Sequence, residues 1–171
     1  INYDITTEEM KKLIIMRHGK SSWDDEYLDD YDRPLSEGGK KNVAGMGAFL
    51  LQKSGMPELI LSSPAKRAYT TAVIAAENMG YPEEKIETDK ELYLAWVDEI
   101  SQCISKIPNK ISHCLIVGHN PGLTHLLNHF GVRLDNLPTA SAACLEFDAS
   151  TWEEISPENV RFQWLKLARE L

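Results

Sequence analysis

Three short, uninterrupted apolar runs constrain this chain more than any other feature: Leu13–Met16, Leu59–Leu61 and Cys114–Val117. A run with neither the gaps of an amphipathic helix nor the alternation of a half-exposed strand reads as a strand covered on both faces. A helical pattern follows each one. Ser36 is placed to cap a helix to about Lys53, with Val43, Met46, Gly47, Leu50 and Leu51 as its apolar stripe and Gly38 and Gly39 weakening its first turn. Ser63 as N-cap and Pro64 at the first helical position predict a second helix to about Met79. A third is expected from Gly122 to about Phe130, carrying Leu123, Leu126, Leu127 and Phe130.

Smaller elements fill the intervals. Thr6 and Glu9 form a capping-box pattern for a short turn, Lys85 to Thr88 suits a short strand, and Val97 to Ile107 suits a helix. Cys144 to Phe147 and Val160 to Leu167 read as late strands. The second alternates on a period of two, which predicts Val160, Phe162, Trp164 and Leu167 near one side. Strands alternating with helices predict an α/β fold, a three-layer α/β/α sandwich around a central, mostly parallel sheet. The expected organisation is one domain over residues 1–171, with 1–11 as an N-terminal extension.

Each apolar run ends in a polar loop: Arg17-His18-Gly19, Ser62-Ser63-Pro64 and Gly118-His119-Asn120-Pro121. Ligands of open α/β sheets bind at the carboxyl ends of strands, so the three loops are expected to converge. The net charge of −8, from 26 acidic and 18 basic residues, disfavours a nucleic-acid binder. Any phosphate site must therefore be made locally from a few basic groups. Cys103, Cys114 and Cys144 are three, widely spaced and without a CxxC pair, and read as core residues of a reducing compartment. The opening INYDITTEEMKK is polar, unlike a signal peptide, and no apolar stretch nears the ~18 residues of a membrane span. A cytoplasmic protein with no membrane partner is expected.

Two histidines at equivalent points of two buried strands are hard to explain by packing. Arg67 falls on the first turn of its helix, where free N–H groups and the helix dipole favour phosphate. Arg17 and Arg67 can each fork onto two phosphate oxygens. Phosphoryl transfer needs an in-line nucleophile, cations around the oxygens and a proton donor to the leaving group. His18 and the arginines supply the first two.

LIIMRHGKSSW, DRPLSEGG, LILSSPAKRAYTTA, LIVGHNPGL and the region around PTASAACLEF occur in this order from about Lys12 to Phe147. Together they resemble the histidine phosphatase superfamily, and the short length, xRPLSxxG segment and late TASA resemble its SixA-type phosphohistidine phosphatase branch. The resemblance implies a phosphoglycerate mutase-like fold and a metal-independent phosphohydrolase without cofactor. It implies His18 as nucleophile and carrier of a phosphohistidine intermediate. Arg17 and Arg67 would bind the phosphoryl oxygens, with His119 donating to them and Arg33 as a further phosphate contact. The expected substrate is protein phosphohistidine; a small phosphate ester is the alternative, and a non-catalytic phosphate-dependent binding module the rival of another class.

One departure matters. Mutases and many ester phosphatases of the superfamily carry a glutamate general acid where this chain has Glu91-Leu92-Tyr93-Leu94-Ala95-Trp96. Asp98 and Glu99 are nearby, and neither aligns well enough to be assigned. An imidazole leaving group departs readily once protonated, so the missing glutamate favours phosphohistidine over an alkyl phosphate.

Other features have plainer readings. His125 and His129, with His119, invite a zinc site, but the spacing lacks the HExxH glutamate and they read as solvated flanks. The cluster Asp24, Asp25, Glu26, Asp29, Asp30 and Asp32 lacks calcium-loop spacing and reads as a solvated loop, with a rim that repels polyanions as the alternative. Trp23 and Ser21 are expected at the pocket entrance, and Trp164 in the core.

Overall fold

The structure, a computed structural model, describes residues 10–171. The turn expected at Thr6–Glu9 lies outside the described residues. Six strands, β1 (Met10–Arg17), β2 (Leu59–Ser62), β3 (Glu87–Thr88), β4 (His113–Gly118), β5 (Ala142–Asp148) and β6 (Val160–Lys166), form one sheet in the order β3-β2-β4-β1-β5-β6. The first four are parallel, and β5 runs antiparallel to both of its neighbours.

Helices α1 (Glu37–Ser54) and α2 (Lys66–Met79) cover one face; α3 (Val97–Ser105) and α4 (Gly122–His129) cover the other. Along β1, Leu13 and Ile15 face α3 and α4 while Ile14 and Met16 face α1 and α2. Both faces are therefore buried, which is why the central strands lack polar alternation. Cys103, Cys114 and Cys144 are free, buried thiols within these layers, and burial raises the pKa of each.

Several local expectations shift. Ser36 caps α1, its hydroxyl accepting the Gly39 N–H at 3.0 Å, but Leu51 is exposed while Val43, Met46, Gly47 and Leu50 are buried. Gly39 has a positive use: a Cβ there would lie 2.2 Å from the Lys20 carbonyl, so glycine lets α1 close against the loop after β1. Helix α2 starts later than predicted, at Lys66, with Ala65 as N-cap. Ser63 does not cap it; its hydroxyl accepts the Ala65 N–H at 3.2 Å and pairs with His119.

The alternation read into β6 is broken by a β-bulge. Cys144 pairs with Trp164 but Leu145 with Phe162, so the side-chain phase changes between them. Trp164 packs edge-on against Phe49 at 5.3 Å on the α1 side, Val160 packs on the opposite side, and Phe162 is exposed.

β1 and β4 are adjacent and parallel, yet β1 leads to α1 on one face and β4 to α4 on the other. A crevice opens at their carboxyl ends where the chain diverges. α4 enters it through Gly122, where a Cβ would lie 2.1 Å from the Ala95 carbonyl. Gly122→Ala is expected to cost about 1–3 kcal/mol by overpacking. A fall in urea midpoint with unchanged slope is the measurement that checks it.

Candidate active site

Arg17 ends β1 opposite Gly118 at the end of β4, so His18 and His119 each stand one residue beyond adjacent strands. The His18 N–H donates to the Gly118 carbonyl at 3.1 Å, and its own carbonyl accepts the Ala140 N–H at 3.0 Å. The main chain is thus held on both sides. His18 Nδ1 lies 2.6 Å from the Gly19 carbonyl. A carbonyl only accepts, so Nδ1 carries the ring proton and Nε2 the lone pair. Burial, with the charges of Arg67, Arg17 and Arg33 added and the Gly19 hydrogen bond opposing, lowers the His18 pKa to about 4. The ring is neutral at pH 7.

The His119 ring stands 5.2 Å from that of His18, centroid to centroid, with Nε2 2.8 Å from Ser63 Oγ. Burial, then the proximity of His18 and Arg67, lowers its pKa to about 3. Its Nδ1 is buried and meets no protein partner.

Three guanidiniums surround the pair. Arg17 donates through Nη1 to the Leu137 carbonyl at 3.0 Å. Arg67, the second residue of α2, is 3% exposed, and Arg33 follows a 3-10 turn at Asp30–Asp32. Arg17 Nε, Arg33 Nε and Nη1, and Arg67 Nε are buried without protein acceptors. A buried donor left unmatched costs about 1–3 kcal/mol, so such a set is suited to an anion with several oxygens. Trp23, itself exposed, covers the Arg33 guanidinium with its ring centroid 3.5 Å away.

Asp30 departs from the reading of the acidic run as a solvated face. Its carboxylate accepts from Arg33 Nη2 at 3.0 Å, Arg67 Nη2 at 2.9 Å and the Tyr93 hydroxyl at 2.6 Å. Its carbonyl accepts Arg67 Nη1 at 2.6 Å. Burial acts to raise its pKa, but the Tyr93 and Arg67 hydrogen bonds and the charges of Arg67 and Arg33 hold it at about 2. Asp30 is therefore an anion that aligns two arginines and offsets one of three positive charges. Its i, i+3 spacing to Arg33 was the one available signal in the sequence, and a run of six carboxylates concealed it.

Thr71, Ser63 and Tyr93 were also missed. Thr71 Oγ1 accepts the Gly19 N–H at 3.0 Å and donates to the Arg67 carbonyl at 2.7 Å, linking the loop after β1 to the first turns of α2. Tyr93 packs edge-on to His119 at 5.5 Å. Among the described residues only Leu94 (φ 49°) and Ala140 (φ 60°) are non-glycines at positive φ, and both belong to this region.

Arg17, His18, Lys20, Ser21, Trp23, Arg33, Arg67, Leu94, His119, Asn120 and Thr139 line a cavity of about 330 Å³. Arg17, His18, Arg33, Arg67 and His119 are among them, as are Ser21 and Trp23, expected at the entrance; the carboxylates of the acidic run are not. Asp98 and Glu99 are not; Glu99 accepts the Trp96 N–H at 3.2 Å as a helix cap, and Asp98 is exposed. His119, His125 and His129 do not gather. His125 and His129 are exposed on α4, and among the described residues no three His, Cys, Asp or Glu side chains form a metal-binding group.

The model of the histidine phosphatase superfamily (branch 1) matches residues 13–94, and an uncharacterized chloroplastic protein of Arabidopsis thaliana is 33% identical over 157 residues, spanning 87% of this chain and 72% of its own. The chain belongs to the histidine phosphatase superfamily. The matched segment carries Arg17, His18, Arg33 and Arg67, while His119 lies beyond it.

A 2,3-bisphosphoglycerate-dependent phosphoglycerate mutase of Bifidobacterium longum is 34% identical over 68 residues, 39% of this chain but 28% of the mutase. Among solved structures, the Nakamurella multipartitia protein assigned to SixA superposes with a TM-score of 0.79 at 20% identity, covering 92% of this chain and 95% of that one. The protein histidine phosphatase SixA complexed with tungstate gives 0.77 at 22% identity, with 93% and 98% covered. These similarities establish the phosphoglycerate mutase-like fold for this chain. No helix among its described residues is long and apolar enough to cross a membrane.

Proposed function

We propose that this histidine phosphatase hydrolyses phosphohistidine on a protein substrate in the cytoplasm, through a phosphohistidine intermediate on His18. What carries the reading is the anchoring of His18: with Nδ1–H given to the Gly19 carbonyl, the Nε2 lone pair stands among three guanidiniums with donors to spare.

In the first step the Nε2–P bond forms as the P–N bond to the substrate imidazole breaks, and that imidazole leaves with a proton from solvent. Charge on the phosphoryl oxygens is met by Arg17, Arg33 and Arg67. Ser63 Oγ accepts from Ala65 and keeps its own proton, which in this reading it gives to His119 Nε2. That assigns the remaining proton to His119 Nδ1, the buried atom without a protein partner, as a donor to a phosphoryl oxygen. Positive charge on the phosphorylated His18 ring is stabilised by the Gly19 carbonyl. Water then attacks phosphorus, the Nε2–P bond breaks, and inorganic phosphate leaves.

Among the described residues no carboxylic acid lines the cavity to protonate an alkoxide, and of those nearby Asp30 is held ionised and Glu99 is engaged as a cap. This favours a nitrogen leaving group over an ester oxygen. The test compares phosphate release from a phosphohistidine protein with release from a panel of phosphate esters. Faster release from the phosphohistidine protein supports the reading; faster release from an ester replaces the substrate, and stoichiometric phosphate binding without turnover replaces the enzyme with a binding module.

Neutral His18 also predicts a pH behaviour. As pH falls through about 4 the ring gains a proton on Nε2 and loses its lone pair. Nitrogen NMR is expected to show His18 neutral at pH 5, with Nδ1 protonated and Nε2 bare, where a free histidine (pKa ≈ 6.5) is mostly charged.

A further inference from the structure

Of the ten large apolar side chains exposed among the described residues, six lie on two short segments: Trp23, Tyr27, Leu28 and Tyr31 after β1, and Leu94 and Trp96 before α3. Trp23 and Leu94 line the pocket. Tyr31 meets Tyr93 edge-on at 5.1 Å, and the Tyr93 hydroxyl donates to Asp30. The two segments are therefore joined across the cavity mouth. Trp96 stacks on His125 with centroids 6.4 Å apart, extending this surface toward α4. Leu94 holds a left-handed backbone while half its surface meets water, so the strain serves no burial of its side chain.

Charge on this collar has the opposite sign to the pocket. Residues 20–32 carry six carboxylates and one lysine, and Asp30 alone among the six is spent on the arginines. A small phosphate compound gains nothing from such a rim, since the rim repels its dianion. A protein bringing lysines or arginines beside its phosphoryl group has that repulsion turned to attraction. Exposed tyrosine and tryptophan in one patch are the side chains most enriched at the centres of protein interfaces.

We infer that this aromatic, acidic collar is a docking surface for a folded protein whose phosphohistidine is flanked by basic and apolar residues. The inference rests on the protein-phosphohistidine reading above and adds the recognition surface and the character of the partner.

The test uses Tyr27→Ala/Trp96→Ala, two exposed residues outside the cavity lining, and two probes: free phosphohistidine, and a phosphocarrier protein phosphorylated on a histidine that has lysines beside it. The double variant is expected to lower kcat/KM on the carrier by at least about tenfold, mainly through KM, while free phosphohistidine changes by less than about twofold. Asp24→Lys/Asp25→Lys is expected to slow the carrier again and flatten its dependence on salt. Equal losses on both probes, or none on the carrier, overturn the docking surface. Wild-type enzyme that is no faster on the carrier than on free phosphohistidine overturns the protein-substrate reading itself, and the surface with it.

Discussion

His18→Ala is expected to lower phosphate release by at least about 10³-fold and to abolish labelling of the protein during turnover. The side chain supplies the attacking Nε2, and no other group in the cavity offers a neutral nitrogen whose second nitrogen is anchored on a carbonyl. His119 does not substitute, because its Nε2 is engaged by Ser63. The fold should survive, since the strand-end geometry depends on the main-chain bonds of His18 to Gly118 and Ala140 rather than on its ring. The label is measured by incubating enzyme with radiolabelled phospho-substrate, quenching in alkali and then exposing the protein to acid. Phosphohistidine is lost in acid and survives alkali. A label that persists in His18→Ala, or turnover retained, overturns the assignment of the nucleophile.

Arg67→Ala is expected to lower kcat by about 10²–10³-fold. The loss exceeds that of one hydrogen bond. Arg67 gives two of the four bonds made to Asp30 by side chains around it, and keeps Nε for the cavity. Without it, the Asp30 carboxylate loses its shorter arginine partner and stands beside the phosphoryl site as a repelling charge. The companion experiment is Arg67→Ala/Asp30→Asn, which should recover about tenfold of the lost rate, because residues in one charge network do not act additively. Strictly additive losses would mean that Asp30 is a bystander. Arg67→Lys is expected to restore little, since an ammonium cannot serve two Asp30 acceptors and the cavity in the same fork.

Much of this molecule was legible because its central strands are covered on both faces. Gap-free apolar runs marked β1, β2 and β4, and their polar ends marked where a crevice would open. Arg17, His18, Arg67 and His119 stood out because each ended or followed a strand or opened a helix in a recognisable motif, and Arg33 because DRPLSEGG resembled a family segment. The details lost were those in which one group serves two elements. Ser63 carried a sound N-cap pattern, yet its hydroxyl turns to His119 at the end of the neighbouring strand, 56 residues away in sequence. The period of two in β6 looked regular because a single bulge residue leaves composition unchanged while reversing the phase of everything beyond it.

By itself, then, the sequence determined the layered α/β architecture and the residue types that gather at its strand ends. Those depend on local periodicity and on the side chains' own chemistry. Only the tertiary structure decided which protons and charges these residues hold. The Gly19 carbonyl selects the tautomer of His18, burial among guanidiniums keeps both histidines neutral, and Asp30 leaves its solvated run to align Arg33 and Arg67. Protonation and alignment depend on distance and desolvation in space, and neither is written in the spacing along a chain.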